Sequence, residues 1–287
     1  MLTANKAGGP LAYAGQPLSA ADFQRFRDLA YQRFGLDLRE GKQDLVAARL
    51  GKRMRQRGIA SFSDYYRMVV SDSSGESLIE LIDALTTNHT SFLRERAHFD
   101  LLGKLVREAG TAAGSLQIWS AASSTGEEPY TILFTILEAN PSLATGRVAP
   151  LVLATDISTR ALQLATKAAY SRDRLRDLPE SWLRNWFIRD SDSEVLRVKP
   201  DIARLVEFRR MNLIEPFHHG RTFDFIFCRN VMIYFDRRTQ QDLIGRLHAC
   251  LKPGGYLLVG HSESLSGIEH PFAYVRPAVY RRKPGSR

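Results

Sequence analysis

Residues 120–132 read "SAASSTGEEPYTI", and the fold depends on what this stretch does. It follows the apolar "LQIW" and runs into the apolar "TILFTIL", so it lies where a strand passes into a helix. A junction of that kind presents free backbone N–H groups and commonly takes an anion. Here the turn glycine, Gly126, is followed by Glu127 and Glu128, with no lysine beside them. Two carboxylates repel a phosphate, so a different ligand is expected.

Downstream the strand-to-helix pattern repeats. "LVLATD" is a strand ending at Asp156, and "STRALQLATKAA" is a helix that Ser158 caps. "LVEFRRMNL", "FDFIFCRN" and "GGYLLVG" supply three more strands, the last after a turn at residues 252–255. Near-continuous apolar strands alternating with helices specify a parallel sheet covered on both faces. The helix after Gly126 is expected over residues 129–138, with Pro129 in its first turn. "FAYVRPAVYRRK" alternates in polarity and predicts two short antiparallel edge strands. Residues from about 171 to 207 interrupt the alternation and carry Trp182, Trp186 and Phe187, which predicts a small inserted subdomain.

Upstream of residue 110 the periodicity is helical. In "SAADFQRFRDLAYQRFG", Ser19 is a candidate N-cap, and Phe23, Phe26, Leu29 and Ala30 make an apolar stripe. A basic helix follows at about 44–57, on which Arg49, Lys52 and Arg53 share one face. The expected divisions are a leader at 1–17, a helical domain at 18–85, a linker at 86–97 and an α/β domain at 98–287. The leader lacks the basic start and apolar core of a signal peptide.

The chain has 287 residues, 44% hydrophobic and 25% charged, with a net charge of +9. No apolar run approaches the ~20 residues of a membrane span. Cys228 and Cys250 lie among apolar residues, as reduced thiols do in a cytoplasmic protein. The seven histidines show no metal-binding spacing, and His218 and His219 fall in a polar loop.

In an open parallel sheet the ligand sits beyond the carboxyl ends of the strands, where strand order reverses. Glu128, Asp156, Asn212, Arg229 and Asn230 all follow strands there. A carboxylate ending the second strand suits the two hydroxyls of a ribose. A dinucleotide is disfavoured, because its pyrophosphate would meet Glu127 and Glu128. A nucleoside carrying a sulfonium and an ammonium fits, which describes S-adenosylmethionine.

"TTNHTSFLRE", "WSAASSTGEEPYTI", "FDFIFCRNVMIYFD" and "LKPGGYLLVGHSE", behind an all-helical N-terminus, resemble the CheR family of chemoreceptor glutamate methyltransferases. The resemblance runs over residues 18–283 in order; His89 and "FLRE" are its small departures from the family pattern. It implies an S-adenosylmethionine-dependent, Rossmann-like sheet with an all-helical N-terminal domain and a small inserted antiparallel β-subdomain. It implies cofactor contacts at Asn88, Thr90, Arg94, Glu128, Asp156, Asn212, Leu213, Arg229 and Asn230, and no metal. Arg94 is expected to position the methyl-transfer centre and Tyr234 to hydrogen-bond the substrate carboxylate. Arg49, Lys52 and Arg53 are expected to meet the methylated helices of the receptor, which are rich in glutamate.

The reaction implied forms a glutamyl methyl ester and S-adenosylhomocysteine. A free glutamate, with a pKa of ~4.3, is already ionised at neutral pH and needs no general base. Two alternatives stand beside it. The basic charge and "NVMIY" suggest an RNA or DNA methyltransferase, although the chain lacks interleaved aromatic and basic residues. A cofactor-binding sensor without turnover is the other. The expected partner is the chemoreceptor cytoplasmic helix, with no nucleic acid and no membrane insertion, and the enzyme is expected to be a monomer. By the resemblance, the turn "DSDSE" at 190–194 is shorter than in members that bind a receptor-tail pentapeptide, and it is acidic, so no such tether is expected.

Overall fold

The computed structural model describes residues 17–86, 89–110, 116–145, 149–189 and 194–285. The leader and most of the acidic turn at 190–194 lie outside the described residues. The chain divides into two compact units: residues up to Arg33 with Asp37–Thr87, and Phe34–Leu36 with Asn88–Arg287.

Among the described residues of the first unit four helices form: α1 (Ala20–Phe34), α2 (Gln43–Arg57), α3 (Phe62–Ser71) and α4 (Glu76–Leu85). Ser19 Oγ accepts from the Asp22 N–H at 3.0 Å and Ser61 Oγ from the Asp64 N–H at 3.1 Å, so both starts are capped as their sequences dictate. Phe23, Phe26 and Ala30 are buried, together with Leu50 and Met54 of α2, Tyr65 of α3 and Leu81 of α4. Lys52 is exposed on α2, and Arg53 is half-buried. Arg49 is also half-buried, and its guanidinium donates to the Leu85 carbonyl at the end of α4. That arginine therefore ties two helices together as well as adding charge.

The second unit runs α5 (Ala97–Ala109), β1 (Ile118–Ala121), α6 (Glu127–Ala139), β2 (Val152–Asp156), α7 (Thr159–Lys167) and β3 (Ala169–Ser171). There follow α8 (Arg172–Leu175), α9 (Glu180–Trp186), β4 (Phe187–Arg189), β5 (Val195–Val198) and α10 (Pro200–Ala203). The chain closes with β6 (Val206–Arg210), β7 (Phe223–Cys228), α11 (Arg237–Cys250), β8 (Leu251–Val259), β9 (Phe272–Arg276) and β10 (Val279–Arg282). A seven-stranded sheet has the order β6-β2-β1-β7-β8-β10-β9, parallel from β6 through β8 and antiparallel at the last two strands. Strand order reverses at β1, which pairs with β2 on one side and β7 on the other. A three-stranded antiparallel sheet, β3-β5-β4, forms the inserted subdomain. It begins at Ala169, and Val206 already belongs to the main sheet, so the insertion is shifted by about two residues from its expected bounds.

The pleat divides the strand side chains between two cores. Ile118, Val152, Ala154 and Phe227 pack with α5 and α6. Trp119, Leu153, Ile226 and Cys228 pack with Leu243, Ile244 and Leu247 of α11. Residues 252–255 were expected as a turn before the strand, yet β8 already starts at Leu251. Its ladder with β7 goes from Phe223↔Leu251 straight to Phe225↔Tyr256, so the "KPGG" segment is carried as a bulge inside the strand. His219 sits 4.4 Å from the Trp119 ring, in an aromatic cluster rather than a plain polar loop. Cys228 is buried and Cys250 only half-buried.

Candidate active site

The site is built at the reversal point, on the turns that leave β1, β2, β6, β7 and β8. α6 starts two residues earlier than its proline suggested, with Gly126 as N-cap, so Glu127 and Glu128 both lie in its first turn. Gly126 has a φ of +97°, and a Cβ there would stand 2.7 Å from the Tyr170 hydroxyl. Only glycine fits that approach. The Tyr170 hydroxyl donates to the Thr125 carbonyl at 2.9 Å. Arg174 ion-pairs with the fully buried Glu127 and donates to Thr125 Oγ1 at 2.8 Å. The inserted subdomain thus braces the turn after β1, and Glu127 serves that brace.

Glu128 faces the other way. Its Oε1 accepts from Ser120 Oγ at 2.7 Å and its Oε2 from Arg229 Nη1 at 2.8 Å. Arg229 Nη2 also donates to Glu95 Oε2 at 2.9 Å and to the Arg94 carbonyl, and the guanidinium lies 5.4 Å from the centre of the Phe99 ring. Burial works against ionisation of Glu95, but Arg229 beside it wins and holds the carboxyl below its ordinary range. At Glu128 burial outweighs Arg229 and Ser120 and pushes the carboxyl up. Two carboxylates share one guanidinium, so acids outnumber the cation among these three residues.

Asp156 Oδ2 accepts the Ser124 N–H at 2.8 Å and Oδ1 the Ser158 N–H at 2.9 Å. It therefore joins the turns after β1 and β2. Asn212 Oδ1 accepts the Ile214 N–H at 3.3 Å in a turn after β6, and the neighbouring Leu213 is buried. Arg94 Nη1 donates to the His89 carbonyl at 2.6 Å. Thr90 and Tyr234 are half-buried, the latter in a 3-10 turn, Met232–Tyr234. Asn88 lies outside the described residues. Of the seven non-glycine residues with left-handed φ among the described residues, five lie here: Leu93, Glu95, Ala122, Ser124 and Asn230. Strain gathered at one place marks a functional centre.

The family models match on this architecture. The CheR methyltransferase SAM-binding domain covers residues 88–280, and the CheR methyltransferase all-alpha domain covers residues 21–86. The chain belongs to the CheR methyltransferase family. It is 40% identical over 266 residues to the chemotaxis protein methyltransferase of Salmonella typhimurium (strain LT2), covering 92% of this chain and 90% of that one. Chemotaxis protein methyltransferase 2 of Pseudomonas aeruginosa is 39% identical over 262 residues, covering 90% of this chain and 92% of its own.

For a CheR methyltransferase the observed donor set fits S-adenosylmethionine: excess carboxylate around Arg229, and Asp156 ending β2. Glu95, His98 and His261 also offer ligand atoms within 4.8 Å of one another. Glu95 is already ion-paired to Arg229, which donates to its Oε2 through both Nε and Nη2. Burial, then Arg229, push His98 down to about 3, which keeps the imidazole neutral. Sequence reasoning passed over Glu95, Tyr170, Arg174 and Glu263 as site residues. Glu95 and Glu263 each end a quoted motif, "FLRE" and "GHSE", and that placement was the available signal. Among the described residues no helix is long and apolar enough to cross a membrane.

Proposed function

We propose that this methyltransferase esterifies glutamate side chains on the cytoplasmic helices of chemoreceptors. When bound, S-adenosylmethionine supplies a methyl group on a sulfonium, which a receptor carboxylate takes up as its methyl ester, leaving S-adenosylhomocysteine. The observation that carries the reading is the Glu95–Arg229–Glu128 group at the reversal point, flanked by Asp156 and Asn230. Asp156 holds the ribose; Glu128, with Asn88, Thr90 and Arg94, receives the amino-acid end; Asn212, Leu213, Arg229 and Asn230 frame the rest. Arg94 positions the transfer centre and Tyr234 donates to the incoming carboxylate. Since that carboxylate is ionised at neutral pH, the site needs alignment and exclusion of water rather than a base. Burial holds His98 down to about 3, which makes it a weak proton acceptor, and pushes the Cys228 thiol far up, away from a nucleophilic thiolate.

Arg49, Lys52 and Arg53 supply a positive face for glutamate-rich receptor helices, acting mainly on encounter and orientation. The enzyme works as a monomer without a tethering receptor-tail pentapeptide; micromolar binding of that peptide to the full chain would contradict this. Incubation with methyl-labelled cofactor, receptor membranes and RNA tests the reaction class. Alkali-labile label on the receptor, released as methanol, supports it. Stable label on RNA, or none anywhere, refutes it.

A further inference from the structure

Among the described residues, Glu263 is a strongly buried carboxylate near the site that no step above uses. It is 6% exposed, and among the described residues no basic side chain pairs with it. Instead it gathers backbone. Its Oε2 accepts the Asn230 N–H at 2.7 Å and the Gly260 N–H at 2.6 Å, and its Oε1 accepts the Ile233 N–H at 3.2 Å. Its own N–H donates to the Gly260 carbonyl at 2.8 Å, which closes the turn at the end of β8.

The segment so held is the one between β7 and α11. Among the described residues its sheet pairing is one isolated bridge, Leu36 to Phe235 near its end, and Asn230 at its start takes a left-handed φ of 58°. N–H groups in such a segment need other acceptors once buried. Glu263 supplies one acceptor group to the start of the turn and to its middle, so Asn230 and Tyr234 are set relative to β8. Gly260 is part of the same fitting: a Cβ there would stand 2.5 Å from Asn230 Nδ2 and 2.7 Å from Glu263 Oε2. A carboxylate offers acceptors on both oxygens. A glutamine would turn an NH₂ toward at least one of these N–H groups and could not satisfy all three.

We propose that Glu263 is a positioning residue for methyl transfer, its buried carboxylate fixing the turn that presents Asn230 to the cofactor and Tyr234 to the substrate. This rests on the assignment of Asn230 and Tyr234 given above. The test compares wild type with Glu263→Gln, Gly260→Ala, Asn230→Ala, Tyr234→Phe and the double variant Glu263→Gln/Tyr234→Phe. For each, the affinity for S-adenosylhomocysteine, kcat on receptor membranes per folded enzyme, and the melting temperature are measured. Glu263→Gln is expected to weaken binding and lower kcat by about ten- to a hundredfold, the scale of a small misplacement of reacting groups. Adding Tyr234→Phe should then cost little more, because the tyrosine is already out of place. Gly260→Ala, which crowds Asn230 and the Glu263 carboxylate while keeping both residues, should reproduce the pattern if Glu263→Gln fails to fold. Lower melting with unchanged binding and kcat, or losses that multiply in the double variant, would overturn the proposal. If Asn230→Ala and Tyr234→Phe are themselves without effect, the site assignment falls and takes the proposal with it.

Discussion

Arg229 donates to Glu128 Oε2 across 2.8 Å, just beyond the point where β1 and β7 pair side by side and end. The Arg229 side chain is 2% exposed and that of Glu128 11%. The same guanidinium holds Glu95, so a single residue stands between two carboxylates that would otherwise be buried and unpaired.

Arg229→Met should therefore be severely destabilising. Breaking a buried pair from one side typically costs about 3–5 kcal/mol, because the remaining charge stays uncompensated. Arg229→Lys should recover only part of this, since an ammonium cannot reproduce the planar fork that reaches Glu95, Glu128 and the Arg94 carbonyl. Denaturant unfolding of the two variants checks the order. A Lys variant as stable as wild type would contradict it.

Asp156→Ala should weaken binding of S-adenosylhomocysteine by about 1.5–3 kcal/mol, the scale of hydrogen bonds to a charged group. Part of that loss comes from releasing Ser124, whose N–H the carboxylate holds. Calorimetric titration measures it, and unchanged affinity would remove Asp156 from the cofactor site.

His98 gives stability a pH dependence of known sign. Burial, then Arg229, lower its pKa from 6.5 to about 3. Between those values the unfolded chain binds a proton that the folded chain does not. Stability from this residue is therefore complete above about pH 6.5 and is lost as pH falls through that window. Unfolding free energies of wild type and His98→Gln, measured from pH 7 to 5, should show the wild type losing more on acidification. A difference independent of pH would contradict the assignment.

Much of the fold and part of the site lay open in the sequence. Strand ends are marked by the change from apolar runs to polar residues, so Glu128, Asp156 and Asn230 could be placed at the reversal point before any contact was known. The braces could not. Tyr170 reaches Thr125 across 45 positions, Arg229 reaches Glu95 across 134, and Glu263 reaches Asn230 across 33. Local periodicity carries no information about such pairs. The start of β8 was obscured for a different reason: "KPGG" has the composition of a turn, and the sheet absorbs it as a bulge.

The basic face can be separated from the helix packing that Arg49 serves. Lys52→Glu with Arg53→Glu should lower kcat/KM on receptor membranes at low salt, with the deficit narrowing as salt rises. S-adenosylhomocysteine binding should not change. Arg49→Glu should in addition lower the melting temperature, because it loses the Leu85 carbonyl. Rates on receptor that are unaltered by the double variant at every salt concentration would reduce this face to solvated surface.

Mapping the methylated atoms tests the central claim most directly. Receptor cytoplasmic fragments are incubated with the enzyme and S-adenosylmethionine, digested, and sequenced by mass spectrometry beside a reaction run with Asp156→Ala. The predicted result is methyl ester on glutamate side chains of the receptor helices, strongly reduced with the variant. Methyl groups on lysine, arginine or nucleic acid instead, or a receptor left unmodified by folded, cofactor-loaded enzyme, would contradict it.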